Sequence, residues 1–477
     1  MEDAGERDRS FDVVVLGGGT AGLTAALAAR HAGASVALLE QEPRLGGDCS
    51  FYGCVPSKAL IEVANLAFGL RRAAEEGLVA EAPPLDFRAV AARRARIVEE
   101  IAVDERDERF ERAGIAVLHG EAELLGAGTV HVDGATLRYG RLVVATGSDP
   151  AVPPVEGIET VPYLTNRSVL ELEELPARLL VLGGGAIGLE LAQAFARLGS
   201  RVTVVELLDR LLPREEPEAG ALIADVLRGE GIELRLGVEA ESVRRDDAEI
   251  VLRAGGDELR GDALLVATGR RGHTGGFGLE RLGVALEKGY IVADRRCRSS
   301  VAGVFAAGDV TGGLQFTHVA AHEGRVAGLN AAGKRAKTDE RVTPWVTFTD
   351  PEVAHVGLTE AEARERRGDV RVAWLPMDAV DRPRIVERPL GFVKLVTAKR
   401  PVLGWTGGGE LVGAQIVGPR AGELIQECAL AMQTRVFAGR LTQTIHAYPT
   451  ASMAVQQGAA QLFPLGRVLA DAGGEGG

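Results

Sequence analysis

The sequence predicts an α/β chain made of two strand–turn–helix–strand units of one kind, followed by a separate α+β module. Three observations predict it. A glycine-rich turn between a strand and a helix occurs twice, each time with an acidic residue at the same distance. The two units close on nearly the same six residues. From about residue 335 the composition shifts to strand-like runs without such a turn.

Residues 1–10 read as a disordered lead-in. Residues 11–16 are apolar and β-branched, a buried strand. Gly17-Gly18-Gly19-Thr20-Ala21-Gly22 follows, then a helix to about residue 32 and a strand over 36–39 that ends in Glu40. Gly17, Gly19 and Gly22 permit a tight turn and the close approach of a pyrophosphate. The helix N-terminus faces that negative charge, and Glu40 stands where a ribose hydroxyl is bound.

The pattern recurs as a strand over 179–182, then Gly183-Gly184-Gly185-Ala186-Ile187-Gly188, a helix to about residue 198, and a strand over 202–205 that ends in Glu206. The spacing from first glycine to acid is 40 − 17 = 23 in one copy and 206 − 183 = 23 in the other. One such turn can merely pack a helix on a sheet. Two copies in register, with Gly183, Gly185 and Gly188 matching the first set, indicate two bound dinucleotides, and hence two Rossmann-like dinucleotide-binding domains.

Residues 142–147 read Leu-Val-Val-Ala-Thr-Gly and residues 264–269 read Leu-Leu-Val-Ala-Thr-Gly. Thr146, Gly147 and Gly269 thus end the strands that close each unit and belong with the cofactor-binding set. Three prolines within 150–154 predict a hinge. A third return, at 303–310, brings Gly308 and Asp309 close to a ligand. Strands over 343–348, 391–396 and 411–417 and helices over about 421–436 and 450–460 make the last module. The expected boundaries are 1–150, 151–271, 272–336 and 337–477.

Gly46 to Lys58 reads Gly-Gly-Asp-Cys-Ser-Phe-Tyr-Gly-Cys-Val-Pro-Ser-Lys. Cys49 and Cys54, with four residues between them, stand at the start of an apolar, Ala-rich segment over 55–74 that reads as a helix. A helix start carries unpaired N–H groups and partial positive charge, which favour thiolate, the reactive form. Pro56 fits the first turn, where no N–H is needed. A close dithiol that opens and closes stores two electrons. A zinc site would need a second close pair of ligands, and Cys297 and Cys428 are isolated, so no metal site is expected. A structural disulfide is the other reading, and such bonds are rare in reducing compartments.

With 477 residues and 46% hydrophobic content, the chain can bury the core of about three domains. Its net charge of −13 excludes nucleic acid as a partner. The first ten residues are charged, unlike a signal peptide. Residues 13–29 are apolar but interrupted by four glycines, so no membrane span is expected. Four cysteines suit a reducing compartment, and the expected location is cytoplasmic.

Together, over about residues 11–465, these motifs resemble the flavoprotein disulfide reductases that bind two dinucleotides, the family of lipoamide dehydrogenase, glutathione reductase and mercuric reductase. The resemblance implies FAD on the first fingerprint and a nicotinamide nucleotide on the second. It implies that Glu40 binds the adenosine ribose of FAD and Asp309 its ribityl chain, with Gly47 and Lys58 also at the cofactor. It makes Cys54 the charge-transfer thiol, Cys49 the interchange thiol that meets the acceptor, and Lys58 and Glu190 an ion pair beside the reactive flavin nitrogen. The segment 349–354 opens the family's dimer-interface domain, so a homodimer is expected.

The sequence departs from the family at one functional stretch. Its dithiol reductases carry a His before Pro-Thr and a Glu four residues after that Pro. Here Tyr448 and Met453 hold those places. Tyrosine, with a pKa near ~10, is a poor proton acceptor at neutrality. His446, two residues earlier, is the candidate substitute. The change resembles the mercuric-reductase-like branch. However, the sequence shows neither a Cys-x-x-Cys ahead of the first fingerprint nor a vicinal cysteine pair near its end, so poor mercury handling is expected.

Glu206 favours NADH over NADPH, because a carboxylate binds a 2′-hydroxyl and repels a 2′-phosphate. Arg210 partly offsets it. The expected activity is electron transfer from NAD(P)H through FAD to the Cys49–Cys54 disulfide. The small-molecule acceptor is then a disulfide, a thiol-bound metal ion or a quinone. The alternatives are a dihydrolipoamide dehydrogenase and a redox-sensing flavoprotein.

Overall fold

A computed structural model describes residues 9–464. Most of the lead-in expected over 1–10 lies outside the described residues, but Arg9 and Ser10 already belong to the first strand.

The first fingerprint becomes the centre of a seven-stranded sheet. Arg9–Leu16 lies parallel between Val36–Glu40 and Ala135–Val144, and Ile115–His119 extends the sheet beyond Val36–Glu40. Ala122–Gly126 and Thr129–Val132 continue it antiparallel, and Val304–Ala306 returns to pair with Ala135–Val144. Alternate residues face opposite layers: Val13 and Val15 pack with the helix Thr20–His31, Val14 and Leu16 with the other face. Both faces are covered, which is why the strand reads as an unbroken apolar run.

The helix Thr317–Ala331 lies directly on Thr20–His31. A Cβ on Gly324 would fall 2.2 Å from the Ala21 carbonyl oxygen, and one on Gly328 2.1 Å from that of Ala25. Only glycine permits this approach.

The second fingerprint builds a four-stranded parallel sheet in the order Glu233–Leu236, Arg201–Glu206, Arg178–Leu182, Ala263–Val266. A three-stranded antiparallel sheet, Ala240–Asp246, Glu249–Ala254 and Asp257–Gly261, is inserted before its last strand. A short antiparallel ribbon, Ser148–Pro150 on Arg270–Gly272, joins the two units. Thr146 donates to the His273 carbonyl at 2.6 Å and Thr268 to that of Ala151 at 2.8 Å. The proline-rich segment expected as a hinge thus begins with the Ala151 carbonyl accepting from Thr268.

The last module is a five-stranded antiparallel sheet ordered Pro344–Thr347, Glu352–Gly357, Glu410–Gly418, Phe392–Ala398, Val370–Pro376. The helices Ala421–Gln433 and Met453–Ala460 pack on it. Two of these strands escape a search for apolar runs, because Glu352, His355 and Arg371 interrupt them. Among the described residues, no helix is long and apolar enough to cross a membrane.

Candidate active site

The two cysteines do not share a helix. Cys49 lies in the five-residue helix Gly47–Phe51, and Cys54 opens the helix Cys54–Glu75. Gly53 makes the break: a Cβ there would meet the Asp48 carbonyl oxygen at 2.9 Å. Cys49 is half-buried and Cys54 is exposed. A third residue joins them. The Thr317 hydroxyl lies 3.2 Å from Cys49 Sγ and 3.3 Å from Cys54 Sγ.

The two sulfurs are inequivalent. Cys54 is pulled down to about 6, first by the hydrogen bond from the Cys49 thiol. Desolvation opposes this, and the Thr317 hydroxyl and the Lys58 ammonium reinforce it. Cys49 is pushed up because its proton is held by Cys54, because it is buried, and because the Glu105 carboxylate is near. The negative charge of the reduced pair therefore rests on Cys54.

One turn further along, Lys58 Nζ donates to Glu190 Oε2 at 2.7 Å. Glu190, on the helix Ala186–Leu198, is 5% exposed, and its other oxygen accepts the Phe348 N–H at 2.8 Å. The Lys58 ammonium also stands 4.6 Å from the Phe348 ring centre. Two charges that singly look like surface residues are thus brought together beside the dithiol.

The two fingerprints repeat the same hydrogen bonds. Glu40 accepts from the Gly18 N–H at 2.6 Å and the Glu42 N–H at 2.8 Å. Glu206 accepts from the Gly184 N–H at 2.5 Å and the Leu208 N–H at 2.8 Å. Gly17 and Gly183 have φ of +99° and +114°. A Cβ on Gly22 would lie 1.7 Å from the Gly17 oxygen, and one on Gly188 2.1 Å from that of Gly183. By contrast, a Cβ on Gly19 meets nothing nearer than the Gly47 Cα at 3.9 Å, and Gly185, Gly147 and Gly269 have nothing within 4 Å. The turn is packed below and open above, at a helix N-terminus, which fits a dinucleotide pyrophosphate in each unit. Arg210 donates to the Pro213 carbonyl.

A chain of polar contacts that sequence reasoning missed links the dithiol segment to Asp309. Asp48 accepts from Arg167 Nε at 2.9 Å and from Arg270 Nη2. Arg270 Nε donates to Ser148 Oγ at 2.7 Å, and Ser148 donates to Asp309 Oδ2 at 2.6 Å. The Gly308 N–H is held at 2.6 Å by the buried Glu323, whose carboxyl burial pushes up to about 7. Asp48 and Arg270 border motifs already singled out, beside Cys49 and Gly269. Thr317 carried no such signal.

The C-terminal candidates lie apart from the dithiol within the chain. His446 commits both ring nitrogens, one to the Thr444 carbonyl at 2.9 Å and the other to Glu427 at 3.1 Å. Tyr448 is 68% exposed and donates to Asp381 at 3.0 Å, which pushes its phenol further up. Met453 begins the last helix. Cys297 and Cys428 are buried singly. Among the described residues, no three His, Cys, Asp or Glu side chains are grouped to hold a metal ion.

Residues 11–324 match the pyridine nucleotide-disulphide oxidoreductase family, and residues 343–459 match the dimerisation domain of the same family. Mercuric reductase from Acidithiobacillus ferrooxidans is 39% identical over 93% of this chain and 81% of its own. A Cu(II) complex of the HOCl-induced flavoprotein disulfide reductase RclA from Escherichia coli is 30% identical, with a TM-score of 0.83 over 93% of this chain and 98% of that one. LpdA from Mycobacterium tuberculosis is 31% identical, with a TM-score of 0.85 over 95% and 100%. The chain belongs to the pyridine nucleotide-disulphide oxidoreductases, FAD-dependent enzymes that use NAD(P)H, and its dimerisation domain supports a homodimer.

Proposed function

We propose that this enzyme is a reductase driven by NADH whose working dithiol is Cys49 and Cys54. Its acceptor is a thiol-bound soft metal ion or a small disulfide, and a quinone is the acceptor that bypasses the dithiol. The observation that carries the reading is geometric: Thr317 stands within 3.3 Å of both sulfurs, and the helix that Cys54 opens brings Lys58 to Glu190 at 2.7 Å. The same reading takes the domain boundaries at 150, 271 and 336 and a cytoplasmic setting.

Bound FAD supplies two-electron exchange between the nicotinamide and the dithiol. The chain's own residues do the rest. Gly19 and the helix behind it receive the pyrophosphate, Glu40 the adenosine ribose, and Asp309, braced by Ser148, the ribityl chain. Lys58 and Glu190 would set the charge felt by the bound flavin. Cys54 would hold the negative charge of the reduced dithiol, and Cys49 would meet the acceptor. Glu206 stands at the second ribose. Arg210 donates to the Pro213 carbonyl, and the Glu206 carboxylate is what supports NADH.

The metal ion is favoured among acceptors on two grounds. Reducing a disulfide requires a proton for each departing thiolate, and positions 448 and 453 carry Tyr and Met rather than a base and its orienting acid. The likeness to mercuric reductase, and to a reductase that forms a Cu(II) complex, points the same way, with Hg(II) itself expected to be handled poorly because Cys49 and Cys54 alone would hold it. A screen of NADH and NADPH against Hg(II), Cu(II), glutathione disulfide, lipoamide and quinones tests this. Cys49→Ser should abolish metal and disulfide reduction and spare quinone reduction. Unchanged rates on every acceptor would overturn the dithiol mechanism.

The His446–Glu427 pair supports a second reading, dihydrolipoamide dehydrogenase, with His446 moving the proton. Turnover of dihydrolipoamide with NAD decides it, and a rate near zero removes it. A redox sensor would instead be reduced by NADH without rapid turnover on any acceptor.

A further inference from the structure

Thr317 begins the helix Thr317–Ala331, and the glycine seam on Thr20–His31 fixes where its hydroxyl stands. A hydroxyl has one rotatable proton and serves one sulfur at a time. Thr317 is within hydrogen-bond range of both, and its hydroxyl favours ionisation at each of them. The other charged groups facing the pair favour one sulfur or oppose ionisation. Lys58 acts on Cys54 from the same helix, Glu190 opposes it from Ala186–Leu198, and Glu105 opposes Cys49 from the segment Val103–Glu105.

This creates a chemical problem. The resting reduced pair carries its charge on Cys54, but Cys49 is the sulfur that must attack. The proton on Cys49 has to leave, and the usual acceptor and its orienting acid are replaced by Tyr448 and Met453. Tyr448 points its own proton at Asp381.

We propose that Thr317 is a catalytic residue of the dithiol. Its O–H donates to the Cys54 thiolate in the resting reduced state and swings to Cys49 as the Cys49 proton crosses to Cys54. One proton moves from sulfur to sulfur, the hydroxyl keeps its own, and no electron moves. The result is a thiolate on Cys49 and a thiol on Cys54, with the same donor stabilising either charge state. This inference rests on Cys49 and Cys54 being the working dithiol.

The test uses FAD-loaded, anaerobically reduced wild type, Thr317→Val and Thr317→Ser, with rates normalised to bound flavin. Iodoacetamide labelling at Cys49 and Cys54 is followed separately by peptide mass spectrometry across pH. A hydrogen bond to a charged group is worth enough that Thr317→Val should slow Cys49 labelling near neutrality by about tenfold and move its profile to higher pH. Thr317→Ser should stay within about twofold of wild type, because the hydroxyl is retained. A Thr317→Val enzyme with the wild-type Cys49 rate and profile overturns the proposal. So does a Thr317→Ser enzyme as slow as Thr317→Val, since keeping the hydroxyl would then not keep the reactivity of Cys49. A reductive titration separates the underlying reading: uptake of two electrons per flavin instead of four shows that the dithiol does not work at all.

Discussion

Lys58 and Glu190 meet at 2.7 Å across three segments distant in sequence, because the second oxygen of Glu190 also holds the Phe348 N–H. The dithiol helix, the second fingerprint helix and the entrance to the last module are thereby tied at one carboxylate. Lys58 is 34% exposed on its side chain and Glu190 only 5%. Removing the lysine strands a buried anion, whereas removing the anion's charge does not.

Lys58→Met should therefore destabilise the protein by about 2 kcal/mol, less than the ~3–5 kcal/mol of a fully buried pair because the lysine is partly solvated. Glu190→Gln keeps the shape and should cost less stability, but slow flavin reduction by NADH on the order of tenfold. Urea unfolding and stopped-flow absorbance read the two effects. Equal stability loss in both variants would contradict the asymmetry.

The thiolate at Cys54 should titrate with a midpoint at about pH 6 in the reduced enzyme. Its pKa is depressed on folding, so the stability it contributes is full above the ordinary thiol range near 9 and is lost as pH falls through about 6. Cys49 has the opposite sign, and withdraws its contribution as pH rises past the ordinary range. In Cys49→Ala the largest cause of the Cys54 shift is gone, so the Cys54 midpoint should rise. Thiolate absorbance against pH checks this, and an unmoved midpoint would refute it.

The glycines of each turn should behave in two classes. Gly22→Ala and Gly188→Ala place a methyl within 1.7 and 2.1 Å of a carbonyl oxygen and should lose FAD or fold poorly. Gly185→Ala meets no protein atom within 4 Å. It should keep wild-type stability to within about 0.5 kcal/mol while weakening nicotinamide binding about tenfold or more, because the methyl occupies the pyrophosphate space. Thermal melts and NADH titrations distinguish the two.

Glu206→Ala should narrow the preference for NADH over NADPH by about tenfold, since loss of the carboxylate removes both an acceptor for the 2′-hydroxyl and the repulsion of a 2′-phosphate. The ratio of kcat/KM for the two coenzymes measures it. An unchanged ratio would remove Glu206 from coenzyme choice.

The double fingerprint was legible because its chemistry is local. The 23-residue spacing from Gly17 to Glu40 and from Gly183 to Glu206 is set by one strand, one helix and one strand, and the Gly18–Glu40 and Gly184–Glu206 hydrogen bonds follow from it. Cys49, Cys54 and Lys58 stand out for the same reason, all within residues 46–58. Thr317 was not, because its importance comes from a helix more than 260 residues away in sequence, laid on the first one by Gly324 and Gly328. Asp48 and Arg270 were overlooked because an ordinary surface ion pair has the same composition. At 446–453 the residue types showed that something had changed, but only the structure revealed where their hydrogen bonds go, with His446 on Glu427 and Tyr448 on Asp381.

The glycine seam between Thr20–His31 and Thr317–Ala331 makes a lever without slack. Gly324 lies against Ala21 and Gly328 against Ala25, so the two helices run the same way, and Thr317 stands beyond the same end at which the Gly17–Gly22 turn lies. Drift in one helix would displace the other, so neither can be retuned alone.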